Sequence, residues 1–71
     1  MPSFSRQVYS SMVKELSYDA ETKELTVSWA KGGTGMYEGV PEDVADELSR
    51  AASVGDMIHR EFKGVYAYRR L

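Results

Sequence analysis

The sequence predicts an α+β domain: a small antiparallel β-meander covered by one helix plus a short second helix, with a final C-terminal strand, in the order β-β-β-α-α-β. Three observations support this fold class. Leu25, Val27 and Trp29 alternate with small or polar residues, which is the period of a half-buried strand. Apolar residues recur at helical spacing after Pro41, and alternation returns over residues 65–71. A chain of 71 residues has room for one such two-layer domain.

The N-terminal half supplies the first predicted hairpin. The first ten residues show little periodicity, so they are interpreted as a flexible lead-in (residues 1–10), which leaves a single domain over residues 11–71. A strand-like stretch begins at Met12. It ends in the polar five-residue connection from Asp19 to Lys23, which is typical of a hairpin loop. The alternating strand that ends at Trp29 is its partner.

A glycine-rich segment follows this strand. Gly32, Gly33 and Gly35 interrupt the alternation before a third predicted strand that contains Met36 and Tyr37. Such a segment could also cradle a phosphate. A phosphate-binding P-loop, however, requires a different glycine and lysine spacing at a strand-to-helix junction, whereas these glycines separate two strands. The context therefore favours a hairpin turn.

The C-terminal half contains the helices. Pro41 and the acidic residues that follow it are helix-start signals, and the apolar spacing predicts an amphipathic helix over residues 41–53 with its acids turned outward. Met57, Ile58 and Phe62 predict a second short helix that ends at Gly64. The last strand then covers residues 65–71.

Composition limits the chemistry. Without cysteine the chain has no disulfide and no thiolate zinc site, and a single histidine, His59, does not make a metal site, so we expect no metal and no cofactor. No nucleophile motif accompanies His59, so no catalytic residue is predicted and we expect a protein that is not an enzyme. No apolar run approaches a membrane span and no secretory signal begins the chain, so we expect a cytoplasmic protein without membrane contact.

The order and spacing of several short motifs resemble the KTSC domain family. The resemblance covers about sixty residues and runs through Ser10-Ser11, Tyr18-Asp19, Leu25-x-Val27-x-Trp29, Tyr37, Val40-Pro41, Ala52-Ser53-x-Gly55, Phe62-Lys63 and Tyr66-x-Tyr68-x-Arg70-Leu71. This family occurs as short stand-alone proteins of bacteria and phages and as a C-terminal appendage of some lysyl-tRNA synthetases. The resemblance implies the α+β fold, and by analogy an association with nucleic acid.

Four positions depart from the family pattern: Ser17, Gly35, His59 and Ala67. Gly35 stands where the family tends to have an aromatic residue. We expect this glycine to remove one ring from a candidate surface and to lengthen and loosen the loop before Tyr37.

Charge is distributed unevenly along the chain. Residues 38–56 hold six acidic residues against Arg50 alone, whereas residues 59–71 hold four basic residues against Glu61. Basic residues interleaved with aromatic ones are typical of segments that hold single-stranded nucleic acid, the ring stacking on a base and the cation meeting a phosphate. The leading hypothesis is therefore a binding module for RNA, a nucleotide or another phosphate-bearing ligand, whose candidate residues are Lys63, Tyr66, Tyr68, Arg69, Arg70 and Tyr37.

Strand alternation offers another interpretation of these tyrosines. Tyr66 and Tyr68 share one face of the last strand, and if that face is the core the stacking surface disappears. Alternation favours the core for them, and likewise for Trp29. The sequence pI near 5.3 also argues against a strong nucleic-acid binder, so contacts of this kind would be local and modest.

A rival hypothesis uses the acidic helix. Asp43, Asp46 and Glu47, or an exposed sheet edge, would bind a host protein, as expected of a small phage or bacterial regulator. A short chain with open sheet edges is compatible with a monomer or a homodimer.

Overall fold

The computed structural model describes residues 4–8 and 11–71, and in them five antiparallel strands form one open sheet. The strands follow one another in the sheet in chain order. They are β1 (Phe4–Gln7), β2 (Val13–Asp19), β3 (Glu24–Trp29), β4 (Thr34–Glu38) and β5 (Ala67–Arg70). Two short helices between β4 and β5 cover one face, so the predicted α+β class is confirmed.

The N-terminal segment differs from the prediction. The flexible lead-in assigned to residues 1–10 contains β1, which pairs with β2 from Phe4 opposite Tyr18 to Gln7 opposite Glu15. The Phe4 ring lies 5.7 Å from that of Tyr18, and this contact anchors the strand. Four residues with one apolar anchor give no recognisable alternation, which is why the pattern missed the strand. The remainder of the predicted lead-in, residues 1–3, 9 and 10, lies outside the described part.

Both predicted hairpins are confirmed. In the β2–β3 connection the Asp19 carboxylate accepts a hydrogen bond from the Glu21 amide at 3.0 Å, and Lys23 adopts a positive φ of 60°. The β3–β4 turn uses Gly32 and Gly33 at φ 105° and 85°, values that disfavour side-chain-bearing residues. The glycine segment is therefore a hairpin turn.

The helical segment has three parts: α1 (Glu42–Ser49), α2 (Val54–Met57) and a π-helical turn (Ile58–Phe62). Helix α1 begins after Pro41 as predicted and stops four residues earlier than the predicted end at residue 53. The amide of Lys63 donates to the Ile58 carbonyl at 2.9 Å, which is the wide hydrogen bond of a π-helix. Gly64 follows at φ 80°, as expected for a residue that ends a helical segment.

The core lies between the sheet and the helical segment. Its fully buried side chains come from β2, β3, the connection between β4 and α1, and the helical segment, among them Leu16, Tyr18, Leu25, Leu48 and Phe62. The opposite face of the sheet has no helix over it and carries mostly hydroxyl, carboxylate and amide side chains: Ser5, Gln7, Glu15, Ser17, Thr26, Ser28 and Thr34. We call these the helix-covered face and the open face.

Candidate functional site

A cleft of about 350 Å³ opens where β3, β4 and β5 meet the α2 and π-helical segment. Its aromatic walls are Trp29, Tyr37 and Tyr68, and His59 and Lys63 belong to its helical side. We call these five residues the aromatic cleft. Met12, Gly55, Ile58 and Gly64 complete the lining.

Strand register brings the two cleft tyrosines together. Tyr37 on β4 lies opposite Leu25 on one side and Tyr68 on the other, so Tyr68 belongs to the helix-covered face. The Tyr37 and Tyr68 ring centroids are 4.9 Å apart. Tyr37 is almost fully buried, whereas 47% of Tyr68 is exposed, since Tyr68 stands on the edge strand beyond the cover of the helices.

Gly35 forms the floor beneath Tyr68. A Cβ atom placed on Gly35 would collide with the hydroxyl and ring of Tyr68, so only glycine admits the ring in this position. Gly35 is buried within β4. The expected longer and looser loop at Gly35 is therefore wrong, because the residue pairs with Val27 and Arg70 in the sheet and lies under an aromatic ring.

A hydrogen bond joins Trp29, the third aromatic wall of the cleft, to Tyr68. The Trp29 indole Nε1–H donates to the Tyr68 hydroxyl oxygen at 3.1 Å.

Burial, followed by the neighbouring Tyr68, raises the pKa of Tyr37, so this phenol stays neutral well into alkaline solution. The cleft therefore combines an aromatic surface with one histidine and one lysine.

The π-helical turn sets the helical side of the cleft. Its extra residue per turn allows Phe62 to be fully buried against Tyr37, at 5.5 Å between ring centroids, while His59 and Lys63 remain exposed. Helical turns of this kind are rare in proteins, and those that occur often lie at functional sites. Lys63 makes no ion pair within residues 4–8 and 11–71, so its ammonium is available to a ligand.

The structure divides the predicted ligand residues into two groups. Tyr37, Lys63 and Tyr68 meet in the aromatic cleft. Tyr66 is half-buried and packs on Phe62 at 5.1 Å between ring centroids, so it belongs to the core.

The two C-terminal arginines lie on opposite faces. Arg69 lies on the open face, where it forms ion pairs with Glu24 at 3.9 Å and Glu38 at 3.6 Å. Arg70 lies beside Gly35 on the helix-covered face, exposed, and makes no ion pair with any residue that the structure describes. The predicted basic-aromatic terminus is therefore not one surface.

The acidic residues of the rival hypothesis lie on α1. Asp43 and Glu47 are exposed. Asp46 is half-buried and forms an ion pair with Arg50 one turn later, at 3.4 Å. Helix α1 thus presents two exposed carboxylates, and neither lines the aromatic cleft.

Sequence reasoning assigned two cleft residues to other roles. Alternation placed Trp29 in the core, and the structure shows it half-buried, with its indole N–H bonded to a residue 39 positions later in the chain. No catalytic role was predicted for His59, and the structure places it, exposed, beside the cleft. The position of Trp29 in the cleft could not be predicted, because a contact between β3 and β5 has no local sequence pattern. For His59 the available signal was its difference from the residue typical of the family.

The described residues contain neither a metal-binding cluster nor a helix suited to span a membrane. No group of three or more histidine or acidic side chains there is arranged to hold a metal ion. None of the helices in that part of the chain is long and apolar enough to cross a membrane.

Comparison with known proteins identifies the fold. The structure of a KTSC domain protein from Yersinia pestis superposes with a TM-score of 0.90 over 97% of both chains at 28% identity. The KTSC domain model matches residues 9–66. The chain belongs to the KTSC domain family, which confirms the resemblance seen in the sequence.

The related sequences are of two kinds. The chain is 37% identical to an uncharacterized protein of Stutzerimonas stutzeri over 76% of each chain. It is 36% identical to a lysine–tRNA ligase of Trichormus variabilis and 31% identical to one of Nostoc punctiforme, each over 86% of this chain. The chain spans only 11% of the length of these ligases, so it resembles one segment of them.

Proposed function

We propose that this protein is a non-enzymatic binding module whose aromatic cleft holds one nucleotide unit, either a free nucleotide or an unpaired nucleotide of RNA. The observation that carries the proposal is the convergence of Trp29, Tyr37 and Tyr68 on a cleft beside Lys63, which forms no ion pair with any described residue. A planar base fits aromatic walls through stacking, and a phosphate complements the lysine charge.

The size of the cleft supports a single unit. About 350 Å³ lies at the lower end of the range for small-molecule sites. A longer single strand would need further cations along its path. Arg69 is held by two glutamates on the other face of the sheet, which leaves Lys63 and Arg70 as the basic groups of β5 and its approach on the cleft side.

The side chains that line the aromatic cleft support a binding role better than a catalytic one. Among the described residues that form the cleft there is no carboxylate and no serine or threonine, so the cleft lacks the common combination of a histidine with a carboxylate and a hydroxyl nucleophile. A cytoplasmic location stays a prediction, as does the state of the protein as a monomer or homodimer. The lysine–tRNA ligases among the relatives act on an RNA, which supports RNA as one source of the nucleotide.

Titration of the full chain with mononucleotides and with short single-stranded RNA tests the proposal. Trp29 is the only tryptophan, so its fluorescence reports on the cleft directly. We expect both ligands to change this fluorescence, and RNA binding to weaken with salt at a slope of about −0.7 for one phosphate. A free nucleotide that binds as well as RNA would identify the mononucleotide as the ligand.

Two variants provide the matched comparison. Lys63→Ala should weaken binding several-fold, because it removes the cation beside the cleft. Arg69→Ala removes the same charge from the opposite face and should leave affinity unchanged. No fluorescence or calorimetric response of the wild type at low salt, or equal losses in the two variants, would contradict the proposal.

A second candidate function is a protein-interaction module that uses α1. The supporting observation is that Asp43 and Glu47 are both exposed on a helix away from the cleft. The double variant Asp43→Lys and Glu47→Lys should abolish binding of a basic host protein recovered with the wild type while nucleotide titrations remain unchanged. Retention of that protein by the double variant would rule out this surface.

A further inference from the structure

We propose that the Tyr68 hydroxyl is a specificity-determining hydrogen-bond donor, which restricts the aromatic cleft to heteroaromatic rings that carry an acceptor on their edge. This inference rests on the proposed function and goes beyond it, because it states which ring the cleft accepts. It separates nucleobases, which have keto oxygens or ring nitrogens, from plain aromatic rings such as those of phenyl phosphates.

The first step of the argument is the direction of the Trp29–Tyr68 hydrogen bond. An indole N–H can only donate, whereas a phenol hydroxyl can both donate and accept. At the observed 3.1 Å from Trp29 Nε1, the Tyr68 oxygen must therefore be the acceptor. One lone pair of this oxygen accepts the indole N–H, and the hydroxyl hydrogen remains to be donated.

The second step concerns where that hydrogen can go. Within residues 4–8 and 11–71, no carbonyl or side chain accepts a hydrogen bond from the Tyr68 hydroxyl. Tyr68 lines the cleft and is 47% exposed, so water or a ligand in the cleft is the remaining acceptor. A ligand atom that replaces the water must itself be an acceptor, because otherwise the O–H loses its partner on binding.

The third step is that the donor is held in place. The Tyr68 ring lies over Gly35, where a side chain on residue 35 would displace it, and it contacts Tyr37 at 4.9 Å between ring centroids. The hydroxyl is additionally fixed by Trp29. A donor fixed before the ligand arrives discriminates more sharply than one on a free side chain, because it cannot turn away from an unsuitable ring.

The test compares two ligands of nearly the same shape. Uridine monophosphate carries keto oxygens, and its difluorobenzene ribonucleotide isostere has fluorines in their place, which are poor acceptors. Calorimetric titration of the full-length wild type should give about three- to tenfold tighter binding of uridine monophosphate, the range for one net hydrogen bond. Phenyl phosphate should bind at least as weakly as the isostere.

Tyr68→Phe keeps the ring over Gly35 and removes only the hydroxyl. In this variant the two ligands should bind with equal affinity, at about the level of the isostere on the wild type. Trp29→Phe removes the group that orients the hydroxyl and should reduce the preference. Arg69→Ala, on the open face, should retain the full preference.

The outcomes separate this inference from the proposed function. If the wild type binds both ligands equally while Lys63→Ala still weakens binding, the donor role of Tyr68 is wrong and the nucleotide module stands. A preference that persists in Tyr68→Phe has the same meaning. If the wild type binds none of the three ligands and no RNA, both proposals are overturned.

Discussion

The side chains of the four-residue strand β5 have different surroundings on the two faces of the sheet. On the helix-covered face, β5 presents Tyr68 and Arg70 beside an aromatic cleft. On the open face it presents Ala67 and Arg69, and Arg69 is held between Glu24 and Glu38. A run of basic and aromatic residues that is continuous in the sequence is therefore divided by strand alternation between the two faces, and within the described residues only the arginine on the open face forms ion pairs.

This difference shows that strand register, and not charge composition alone, determines which charged residues share a surface. Arg69 and Arg70 are adjacent and chemically identical, but only Arg70 has no ion-pair partner in the described part of the chain. Lys63, seven positions before Arg70, joins the cleft side because the π-helical turn ends beside it. The side of the terminus that borders the cleft is thus defined by contacts with β4 and the helical segment.

The largest expected effect follows from removal of the ring that anchors the helical segment to the covered face. Phe62 is fully buried, and Phe62→Ala should lower the free energy of unfolding by about 3–5 kcal/mol, the cost of a large cavity. In a domain of this size such a loss removes most of the stability. Urea denaturation followed by circular dichroism measures it. Ser28→Ala on the open face is the control and should cost less than about 1 kcal/mol.

Gly35→Ala should be the next most damaging change. The added methyl group meets the Tyr68 hydroxyl and ring, so the ring must leave the cleft wall, at about 1–3 kcal/mol of unfolding free energy. The Trp29–Tyr68 hydrogen bond breaks with it, and the Trp29 fluorescence should shift.

A double-mutant cycle sharpens this expectation. Where Tyr68 is already alanine, Gly35→Ala should cost much less, because the obstructing ring is gone. Equal costs in the two backgrounds would show that the Tyr68 ring is not what requires glycine at this position.

Alkaline pH should weaken the covered face through its buried phenols. The pKa of Tyr18 is raised by burial and then by Glu42, Asp43 and Asp19, and that of Tyr37 by burial and then by Tyr68. A raised folded-state pKa means that the stability contribution is complete below the ordinary value of 10.0 and is lost as the pH rises through the folded-state value.

Thermal unfolding measured at increasing pH, together with tyrosinate absorbance, checks this dependence. Tyr37→Phe keeps the ring and should make the alkaline decline shallower. A decline of unchanged slope in that variant would exclude Tyr37 as a source of it.

The smallest effect is expected on the open face. Arg69→Ala removes two ion pairs of a largely exposed side chain and should cost less than about 1 kcal/mol, with the cost decreasing as salt is added. Arg70→Ala, which breaks no ion pair in the described residues, is the matched control and should cost less still. A larger cost for Arg70→Ala would contradict a stabilising contribution of the Arg69 ion pairs.

The sequence predicts those parts of this molecule that local patterns encode. Alternation identified β3, the glycines identified the β3–β4 turn, and Pro41 with the acids after it identified the start of α1. It missed β1, because a strand of four residues with one apolar anchor carries no period. It misjudged the end of α1, because Ala51 and Ala52 suit a helix in composition although the helix ends at Ser49.

The candidate site could be predicted only in part, because it depends on contacts between residues that are distant in the sequence. Tyr37, Lys63 and Tyr68 were proposed on chemical type alone, and they do meet. Arg69 and Tyr66 were proposed on the same grounds and do not join them, because alternation and the contact with Phe62 direct them elsewhere. The role of Gly35 could not be read from the sequence, since it depends on a ring 33 positions later in the chain.

The position of β5 at the edge of the sheet has a consequence for motion. Among the described strands it pairs only with β4. It is four residues long and exposed along its whole length, and such segments open at a lower free energy than the body of a fold. Its amides should therefore exchange with solvent deuterium sooner than those of β2 and β3. Because Tyr68 stands on this strand, each such opening takes away one wall of the cleft while the core from Leu16 to Phe62 stays folded. Detachment of this one strand would therefore alter the shape of the cleft without unfolding the rest of the domain.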